Sequence, residues 1–309
     1  MSKERKISII CHSIALAIVI AMMIFLCFKN SEGIYYDLAI DQAIGNANNW
    51  FGIFFVIVGE YPQYILIPIA GTIFFYNADS FKEKYKQIIF KIFACIVVAV
   101  GFFIWVNNGT KVSEVPAKPL FAVFAMLFYG AICLGVGSLV AKAEMKRLFK
   151  LAIFLLTFVV VSYLVMTIIK NIWCRMRFRD MLKEGNCDGF TPWYKPMIGR
   201  EKTEGYDYTS FPSGHTSSAV HIFVITLLPF YFKKLDKEWI RYTLYGFSVA
   251  FVITVAISRV VNTAHFLSDT IMGGAITYAI FYGLKKLFFK SGYVFEEKEI
   301  LNGTIQEQD

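Results

Sequence analysis

Cysteine and clustered acidic residues, which would suggest a disulfide scaffold or a metal site, are scarce in this 309-residue sequence. The six cysteines are too few and too scattered for a disulfide framework, and most lie in apolar segments as small core residues. Cys174 and Cys187 lie in or beside one polar loop and could pair in an oxidising compartment, although no spacing rule supports that pair. No carboxylate cluster suits magnesium, and neither an internal repeat nor a second soluble domain is visible.

Apolar residues are abundant: 57% of the sequence is hydrophobic and 17% aromatic, which is too apolar for an ordinary soluble domain. Several apolar runs have the length of about twenty residues that crosses a hydrocarbon core of ~30 Å. They lie near residues 7–28, 87–106, 120–141, 150–169, 214–232 and 268–288, with shorter or interrupted runs near 62–77 and 242–258. The sequence therefore predicts an all-α, polytopic membrane helix bundle of about eight transmembrane helices.

Lysine and arginine alternate between these runs in a pattern that predicts orientation. Basic groups precede the first run and recur around residues 82–86, 142–150, 233–241 and 285–290, whereas the intervening loops are acidic or mixed. Because cytoplasmic loops are enriched in Lys and Arg, we expect both termini in the cytoplasm and the polar loop of residues 170–212 on the extracytoplasmic side. The net charge of +8 is then mostly a topology signal, and no nucleic-acid partner is expected.

The whole chain, residues 1–309, is predicted to be a single integral membrane domain. Its first apolar run is basic at the start but longer than a signal-peptide core, and no small-residue cleavage site follows it, which favours a retained anchor. Residues 34–63 mix acidic and apolar side chains and are interpreted as an amphipathic helix in the outer interface. The acidic segment 296–309 is predicted to be a solvated tail.

Three short motifs in the second half carry candidate chemistry, and the first pairs Lys170 with Arg177. The two cations are two helical turns apart, so a helix that continued through both would place them on one face, within reach of one anion. Arg175 and Arg179 would then point elsewhere. Taken alone, Lys170 is equally well explained as a lysine that snorkels to the membrane interface.

The second motif, Pro212-Ser213-Gly214-His215, lies where the polar loop gives way to an apolar run. Ser213 has the side chain of a helix N-cap, and Gly214 lets an anion approach the first N–H groups and the positive end of the helix dipole. An ordinary capped helix start does not require the histidine that follows. His221 lies outside the pattern and is interpreted as a packed helix residue.

In the third motif, Ser258-Arg259 closes one predicted helix while His265 and Asp269 begin the next. Their spacing of one helical turn lets the carboxylate accept the proton of one ring nitrogen, which leaves the other nitrogen as a nucleophile. Arg259 offers a planar guanidinium to phosphate oxygens. Alone, the pair His265 and Asp269 would be interpreted as a helix-surface contact; with the other two motifs it predicts a phosphoryl-transfer site.

In this order and at these distances, the motifs resemble those of the phosphatidic acid phosphatase type 2 (PAP2) superfamily, in its membrane-bound lipid phosphatase branch. The family pattern is Lys, six residues, Arg-Pro; then Pro-Ser-Gly-His; then Ser-Arg, five residues, His, three residues, Asp. The resemblance covers 170–269 directly, within a PAP2-like region of about 150–290, and Phe178 stands where proline is usual. The common family core has six membrane helices, so an extra pair is expected upstream of Lys170.

The resemblance implies that His265 attacks phosphorus to give a phosphohistidine, that Asp269 orients it, and that His215 protonates the leaving oxygen and then activates water. It implies that the phosphoryl oxygens are held by Lys170, Arg177, Ser213, Gly214 and Arg259. No metal or cofactor is expected, and a zinc site built from the two histidines and the aspartate is a minor alternative.

A site at the membrane surface predicts a lipid phosphate or diphosphate as substrate, such as phosphatidate, phosphatidylglycerol phosphate or polyprenyl diphosphate, with membrane lipids as partners. The residues do not choose among these substrates, and they do not define an oligomeric state. A soluble sugar phosphate, as in the glucose-6-phosphatase branch, is the alternative within the enzymes; vanadate-dependent haloperoxidases share the phosphate-site pattern but are soluble. A transporter or lipid-binding protein would also keep charged groups near helix ends.

Overall fold

The computed structural model describes residues 3–110, 118–140 and 145–289, and it confirms the all-α class. Within these residues the secondary structure is helical, and extended pairing is limited to one isolated antiparallel bridge between Lys29 and Tyr35. The tail 296–309 and parts of two loops used to predict orientation, 111–117 and 141–144, lie outside the described residues.

Twelve α-helices follow one another in the described residues, and most connections between them are short. They are α1 (Lys3–Phe25), α2 (Tyr36–Ile44), α3 (Trp50–Val58), α4 (Tyr61–Asn77), α5 (Lys84–Thr110), α6 (Lys118–Val140), α7 (Met145–Trp173), α8 (Phe178–Glu184), α9 (Gly214–Val220), α10 (Leu228–Tyr231), α11 (Glu238–Val261) and α12 (Leu267–Phe289).

In the part of the chain that the structure describes, five helical segments are long and apolar enough to cross a membrane: Trp50–Ser80, Lys84–Asn108, Phe121–Leu139, Leu148–Glu184 and Glu238–Val261. In each segment at most 39% of the apolar stretch is buried inside the protein, which leaves apolar surface for contact with lipid. Ile9–Phe25 is a shorter apolar helix. The protein is therefore an integral membrane protein, and the number of eight spans stays a prediction.

The chain divides into two compact units. One contains the described parts of Met1–Glu60 and Val161–Asp309, and the other is Tyr61–Val160. In the first unit α9, α11 and α12 pack against one another, and α2 and α3 contact this group. All residues of the three motifs lie in this unit. In the second unit α4 packs on α5 and α6 around an aromatic cluster that includes Trp105.

The apolar run 214–232 is helical but is not one continuous α-helix. The seven-residue α9 passes into a 3₁₀-helix, His221–Leu227, and then into the short α10. His221 Nδ1 lies 3.1 Å from the carbonyl oxygen of Ser217 and 3.2 Å from that of Ser218. Because such local contacts compete with helical backbone bonds, they favour the change of helix type.

The segment 34–63 is not the amphipathic interface helix that its composition suggested. It forms two short helices, α2 and α3, and then enters α4. The acidic residues of α2, Asp37 and Asp41, are buried rather than turned to solvent. Acidic side chains are buried in this way when they are paired or protonated, and both conditions occur in the site described below.

The polar loop that follows α8 is held against its surroundings by tryptophan side chains. Trp173 Nε1 donates to the carbonyl oxygen of Trp193 (2.5 Å), whose own Nε1 donates to the carbonyl oxygen of Met23 (3.1 Å). Cys174 and Cys187 are both free thiols, so the pair considered from the sequence is not formed.

Candidate active site

The first motif lies where α7 gives way to α8. The expectation that one helix continues through Lys170 and Arg177 is wrong: α7 ends at Trp173, and Cys174 takes a left-handed conformation with φ of 44°. The two cations still converge, because Lys170 Nζ donates to the carbonyl oxygen of Thr209 (2.5 Å) and Arg177 Nη2 donates to Thr209 Oγ1 (3.4 Å). A turn of the polar loop between α8 and α9, rather than a helix face, brings them together.

Arg177 also has a carboxylate partner that the motif did not predict. Its Nε lies 2.9 Å from Asp207 Oδ2, and Asp207 Oδ1 accepts bonds from the amide (2.8 Å) and hydroxyl (2.5 Å) of Thr209. Burial raises the pKa of Asp207, but Arg177 and the hydrogen bonds from Thr209 outweigh it and lower that pKa below its ordinary value. Asp207 is therefore charged at neutral pH and fixes the Arg177 guanidinium.

Phe178 replaces the family's proline without changing the start of α8. It is the first residue of that helix, the position at which proline is favoured. Arg177 before it has φ −81° and ψ 149°, the extended conformation that a residue preceding proline adopts. The Phe178 ring is buried, with its centroid 6.1 Å from that of Phe266.

In the second motif the predicted N-cap is confirmed. Ser213 Oγ accepts bonds from the amide (3.4 Å) and hydroxyl (3.2 Å) of Thr216. The amide of Ser213 donates to the carbonyl oxygen of Asp269 (2.9 Å) and so ties the second motif to the third. The amides of Gly214 and His215 belong to the first turn of α9, where N–H groups have no helical acceptor.

His215 has a carboxylate neighbour from a distant part of the chain. Its Nε2 lies 3.5 Å from Glu60 Oε1, and both side chains are only partly exposed. Glu60 follows α3, far upstream of the motifs, and no local pattern in the sequence pointed to it. The structure therefore adds Glu60 to the candidate site.

A tight turn joins the two halves of the third motif. α11 ends at Val261, Thr263 has a φ of 54°, and the Arg259 carbonyl oxygen accepts the amides of Ala264 (3.1 Å) and His265 (3.3 Å). Within the described chain, four buried atoms at this turn lack hydrogen-bond partners: Arg259 Nε, Arg259 Nη1, Thr263 Oγ1 and His265 Nε2. Buried polar atoms in native proteins are almost always paired, so these atoms indicate a site for a polar ligand or water.

His265 is oriented mainly by a backbone carbonyl, and not by Asp269 as expected. Nδ1 lies 2.7 Å from the carbonyl oxygen of Ser210 and 3.8 Å from Asp269 Oδ2. Both Asp269 oxygens have other donors, because Oδ2 accepts from Ser210 Oγ (2.5 Å) and the Phe266 amide (2.9 Å), and Oδ1 from Arg175 (2.5 Å). Since a carbonyl only accepts, Nδ1 carries the proton and Nε2 keeps the lone pair. The carbonyl oxygen of Ser210 thus accepts the Nδ1 proton of His265, which the spacing had predicted for the carboxylate of Asp269.

The positive charges of the first and third motifs act on both histidines. Burial lowers the pKa of His265 well below its ordinary value, and Arg177, Lys170 and Arg259 lower it further. The pKa of His215 is likewise lowered by burial and then by Arg259, His265, Arg177 and Lys170. His265 is therefore neutral and ready to act as a nucleophile. His215 is also neutral in this state, whereas the sequence interpretation requires it to begin protonated; a bound phosphate dianion would favour that form.

The geometry suits an anion held by fixed cations. Among residues 3–110, 118–140 and 145–289, no three His, Cys, Asp or Glu side chains are grouped as metal ligands. Lys170, Arg177 and Arg259 instead surround a neutral imidazole whose Nε2 has no partner in that part of the chain.

Comparison with known proteins agrees with the motifs. Residues 150–293 match the family model of the PAP2 superfamily. A curated protein named Lipid A 1-phosphatase, from Porphyromonas gingivalis, is 28% identical to this chain over 139 residues, which is 43% of this chain and 30% of that protein. The match therefore spans less than a third of the relative's length, and no solved structure gives a significant match to the chain. The resemblance to the PAP2 superfamily is confirmed.

Proposed function

We propose that this chain, whose residues 150–293 carry the PAP2 superfamily region, is a membrane phosphatase that hydrolyses a lipid phosphate or diphosphate. The observation that carries the proposal is the group of buried atoms at one turn, Arg259 Nε and Nη1 and His265 Nε2, which lack partners in the described chain. A phosphoryl group would supply acceptors to the guanidinium and an electrophile to the imidazole. Lys170 and Arg177 add the charge that phosphoryl transfer requires.

In the proposed reaction the Nε2 lone pair of His265 forms a bond to phosphorus while the bond from phosphorus to the leaving oxygen breaks. Nδ1 keeps its proton, which it donates in a hydrogen bond to the carbonyl oxygen of Ser210. Asp269 offsets the positive charge that develops on the ring. His215 gives a proton to the leaving oxygen. It then takes one from water, whose oxygen attacks phosphorus and returns the electron pair to His265. Glu60 beside His215 favours the protonated form needed in the first step.

Three features support a lipid substrate. The described residues include five segments suited to crossing a membrane, the first motif and Arg259 lie towards the ends of two of them, and the relative is named for a lipid phosphatase activity. A soluble sugar phosphate is the alternative substrate, and a transporter or lipid-binding protein is the alternative without catalysis.

Phosphate release by the purified chain in lipid nanodiscs tests the proposal. The panel consists of phosphatidate, phosphatidylglycerol phosphate, polyprenyl diphosphate, lipid A and glucose 6-phosphate, each with and without EDTA. We expect release from at least one lipid and its survival in EDTA, because fixed cations take the place of a metal. Release from glucose 6-phosphate alone would favour the sugar-phosphate alternative, and binding without release would favour the transporter. Complete loss in EDTA that zinc or magnesium restores would contradict metal independence.

We expect activity to persist into mildly acidic buffer and then to fall as His265 becomes protonated. Burial and the three cations lower the pKa of His265, so its nucleophilic form survives below the ordinary histidine pKa of about 6.5. The measurement is kcat/KM against pH, with protein integrity checked at each pH by size-exclusion chromatography. If kcat/KM instead fell on lowering the pH with a midpoint above the ordinary histidine pKa, while the protein stayed intact, the assignment would be contradicted.

The polar loop between α8 and α9 is predicted to face away from the cytoplasm. A reporter inserted after the exposed Gly199 should behave as extracytoplasmic, whereas one inserted after Lys82, in the basic connection between α4 and α5, should behave as cytoplasmic. The measurement is the activity of a paired compartment-specific reporter at each site. The same compartment for both insertions would refute the predicted orientation.

Gly273 is expected to tolerate no side chain, because α12 packs directly on the turn of the second motif. A Cβ on Gly273 would lie 2.4 Å from the Ser213 carbonyl oxygen, whereas a Cβ on Gly274 would make an ordinary 3.5 Å contact with Thr216. Gly273→Ala should therefore destabilise the protein by about 1–3 kcal/mol, as overpacking does, and should lower turnover by shifting Ser213. Thermal unfolding and phosphate release measure both effects, with Gly274→Ala as the matched control. Equal behaviour of the two variants would contradict the close approach.

A further inference from the structure

Arg175, which belongs to none of the three motifs, is fully buried and joins two carboxylates. Its Nη1 donates to Asp269 Oδ1 (2.5 Å) and to Ser268 Oγ (2.8 Å), and its Nη2 donates to Asp37 Oδ2 (2.8 Å). The guanidinium carbon lies 4.2 Å from the centre of the Phe266 ring. Arg175 is thus held on several sides in a site without solvent, where charge-assisted bonds are strong.

Asp37 of α2 clamps the first turn of α12 from outside. Its Oδ1 accepts the amide of Ser268 (2.9 Å), and its Oδ2 accepts the Ser268 hydroxyl (2.5 Å) as well as Arg175. Asp269 is the next residue in the same turn. The backbone that carries Asp269 is therefore fixed by Asp37, while the Asp269 side chain is fixed by Arg175.

The same contacts reach His265 through Ser210. With Oδ1 held by Arg175, Asp269 turns Oδ2 to the Ser210 hydroxyl (2.5 Å), and the Arg175 carbonyl oxygen accepts the Ser210 amide (3.0 Å). Ser210 is bonded on both sides in this way, and its carbonyl oxygen receives Nδ1–H of His265. A continuous series of bonds runs from Asp37 to the nucleophile.

The hydrogen-bonded residues between Asp37 and His265 also set the charge near the His265 ring. A guanidinium alone would cancel the negative charge of Asp269, but Asp37 offsets it, so the three groups together keep one negative charge beside His265. The two carboxyl oxygens of the neighbouring Asp41 have no hydrogen-bond partner within the described residues, and burial followed by the charges of Asp37 and Asp269 raises the pKa of that carboxyl. The raised pKa favours the neutral form of Asp41, which adds no charge to this balance.

We infer that Arg175 and Asp37 are positioning residues for phosphoryl transfer: through Asp269 and Ser210 they fix the ring of His265 with its Nε2 lone pair directed at the substrate, and they preserve the negative charge that supports the ring as it becomes positive. The inference rests on the proposed phosphatase function. Neither residue touches the phosphoryl group.

The test uses the full chain in nanodiscs, with a lipid phosphate that the wild type hydrolyses, and measures the single-turnover rate of phosphohistidine formation and KM. Because Arg175→Lys keeps the charge but cannot bond both carboxylates, it should slow phosphorylation by about 30-fold or more, with KM within about threefold of the wild-type value. Asp37→Asn should slow it by about tenfold, and Ser268→Ala, which leaves both ion pairs, by less than about threefold. Arg241→Lys is the matched control and should change neither quantity, because Arg241 is also buried but pairs with Asp236 near the start of α11.

A pH profile separates positioning from a purely structural clamp. Removal of the Asp37 charge should lower the pKa of His265, so the acid limb of kcat/KM should move to lower pH in Asp37→Asn. The other charged or titratable groups that face His265 stay in place in this variant: Asp269, Arg177, Lys170, Arg259 and His215. A clamp that only stabilised the fold would lower the melting temperature and leave the acid limb where it is.

Folded Arg175→Lys and Asp37→Asn proteins with the wild-type phosphorylation rate and acid limb would overturn the inference while the proposed function stood. If Arg175→Lys does not fold, Asp37→Asn decides. A change in KM alone would also overturn it, since it would place the network in substrate binding. A wild-type chain that releases no phosphate from any substrate would remove the proposed function, and the inference with it.

Discussion

His265→Ala is expected to abolish phosphate release and the acid-labile phosphoenzyme. The imidazole is the proposed nucleophile: its Nδ1 proton is held by the carbonyl oxygen of Ser210, and its Nε2 has no partner within the described chain. Phosphate-ester hydrolysis is among the slowest uncatalysed reactions, so the cations that remain cannot replace a covalent step. The measurement is phosphate release together with acid-quench trapping of labelled phosphate on the protein.

His215→Ala and His12→Ala are the comparisons that make this result specific. If His215 acts mainly on the leaving oxygen, substrates with better leaving groups should partly restore phosphorylation in His215→Ala, but not in His265→Ala. His12 contacts Tyr278 through Nε2 (2.9 Å) outside the candidate site, and its replacement should leave turnover intact. Substantial turnover by folded His265→Ala, or labelled phosphate trapped on another residue, would refute the nucleophile assignment.

The convergence of the three motifs could be predicted from the sequence because each of them lies at a helix end. Helix ends are fixed by local signals, such as the Ser213 cap, and membrane spans of similar length bring alternate ends to one side. The predicted role of Ser213 as an N-cap is confirmed for this reason. Asp269 lies one turn from His265 as predicted, but the direct hydrogen bond expected between them is not formed, because a spacing of one turn cannot show that Ser210 lies between the two side chains. The role of Asp269 in the reaction stays a prediction.

Arg175 shows why the remaining parts of the site could not be predicted. The sequence predicts a different helix face for Arg175 than for Arg177 only if α7 continues through both residues. α7 ends at Trp173 instead, Cys174 takes a left-handed conformation, and the Arg175 side chain bonds to Asp269. Its partner Asp37 lies far away in the sequence, and so does Glu60, the partner of His215. Contacts over such separations leave no periodic pattern in the sequence. Acidic residues are usually exposed, so nothing in the sequence indicated that Asp37 lies in a buried site.

Arg259→Lys is expected to reduce kcat/KM by about 30-fold or more, which corresponds to about 2 kcal/mol of transition-state stabilisation. The substitution keeps the charge but removes the planar pair of donors that matches phosphate oxygens. Two observations make the loss large: Arg259 is buried, and its Nε and Nη1 have no partner among the residues that the structure describes.

The backbone around Arg259 should not change in this variant, because its carbonyl oxygen keeps the amides of Ala264 and His265. Steady-state kinetics on a lipid phosphate measure the effect. Arg241→Lys is the matched control, since Arg241 is also buried on α11 but pairs with Asp236 near the other end of that helix. Arg241→Lys should leave kcat/KM nearly unchanged. Near-normal turnover of folded Arg259→Lys would show that Arg259 only anchors the helix end, and the phosphoryl oxygens would then have to be held by Lys170, Arg177 and the amides of the first turn of α9.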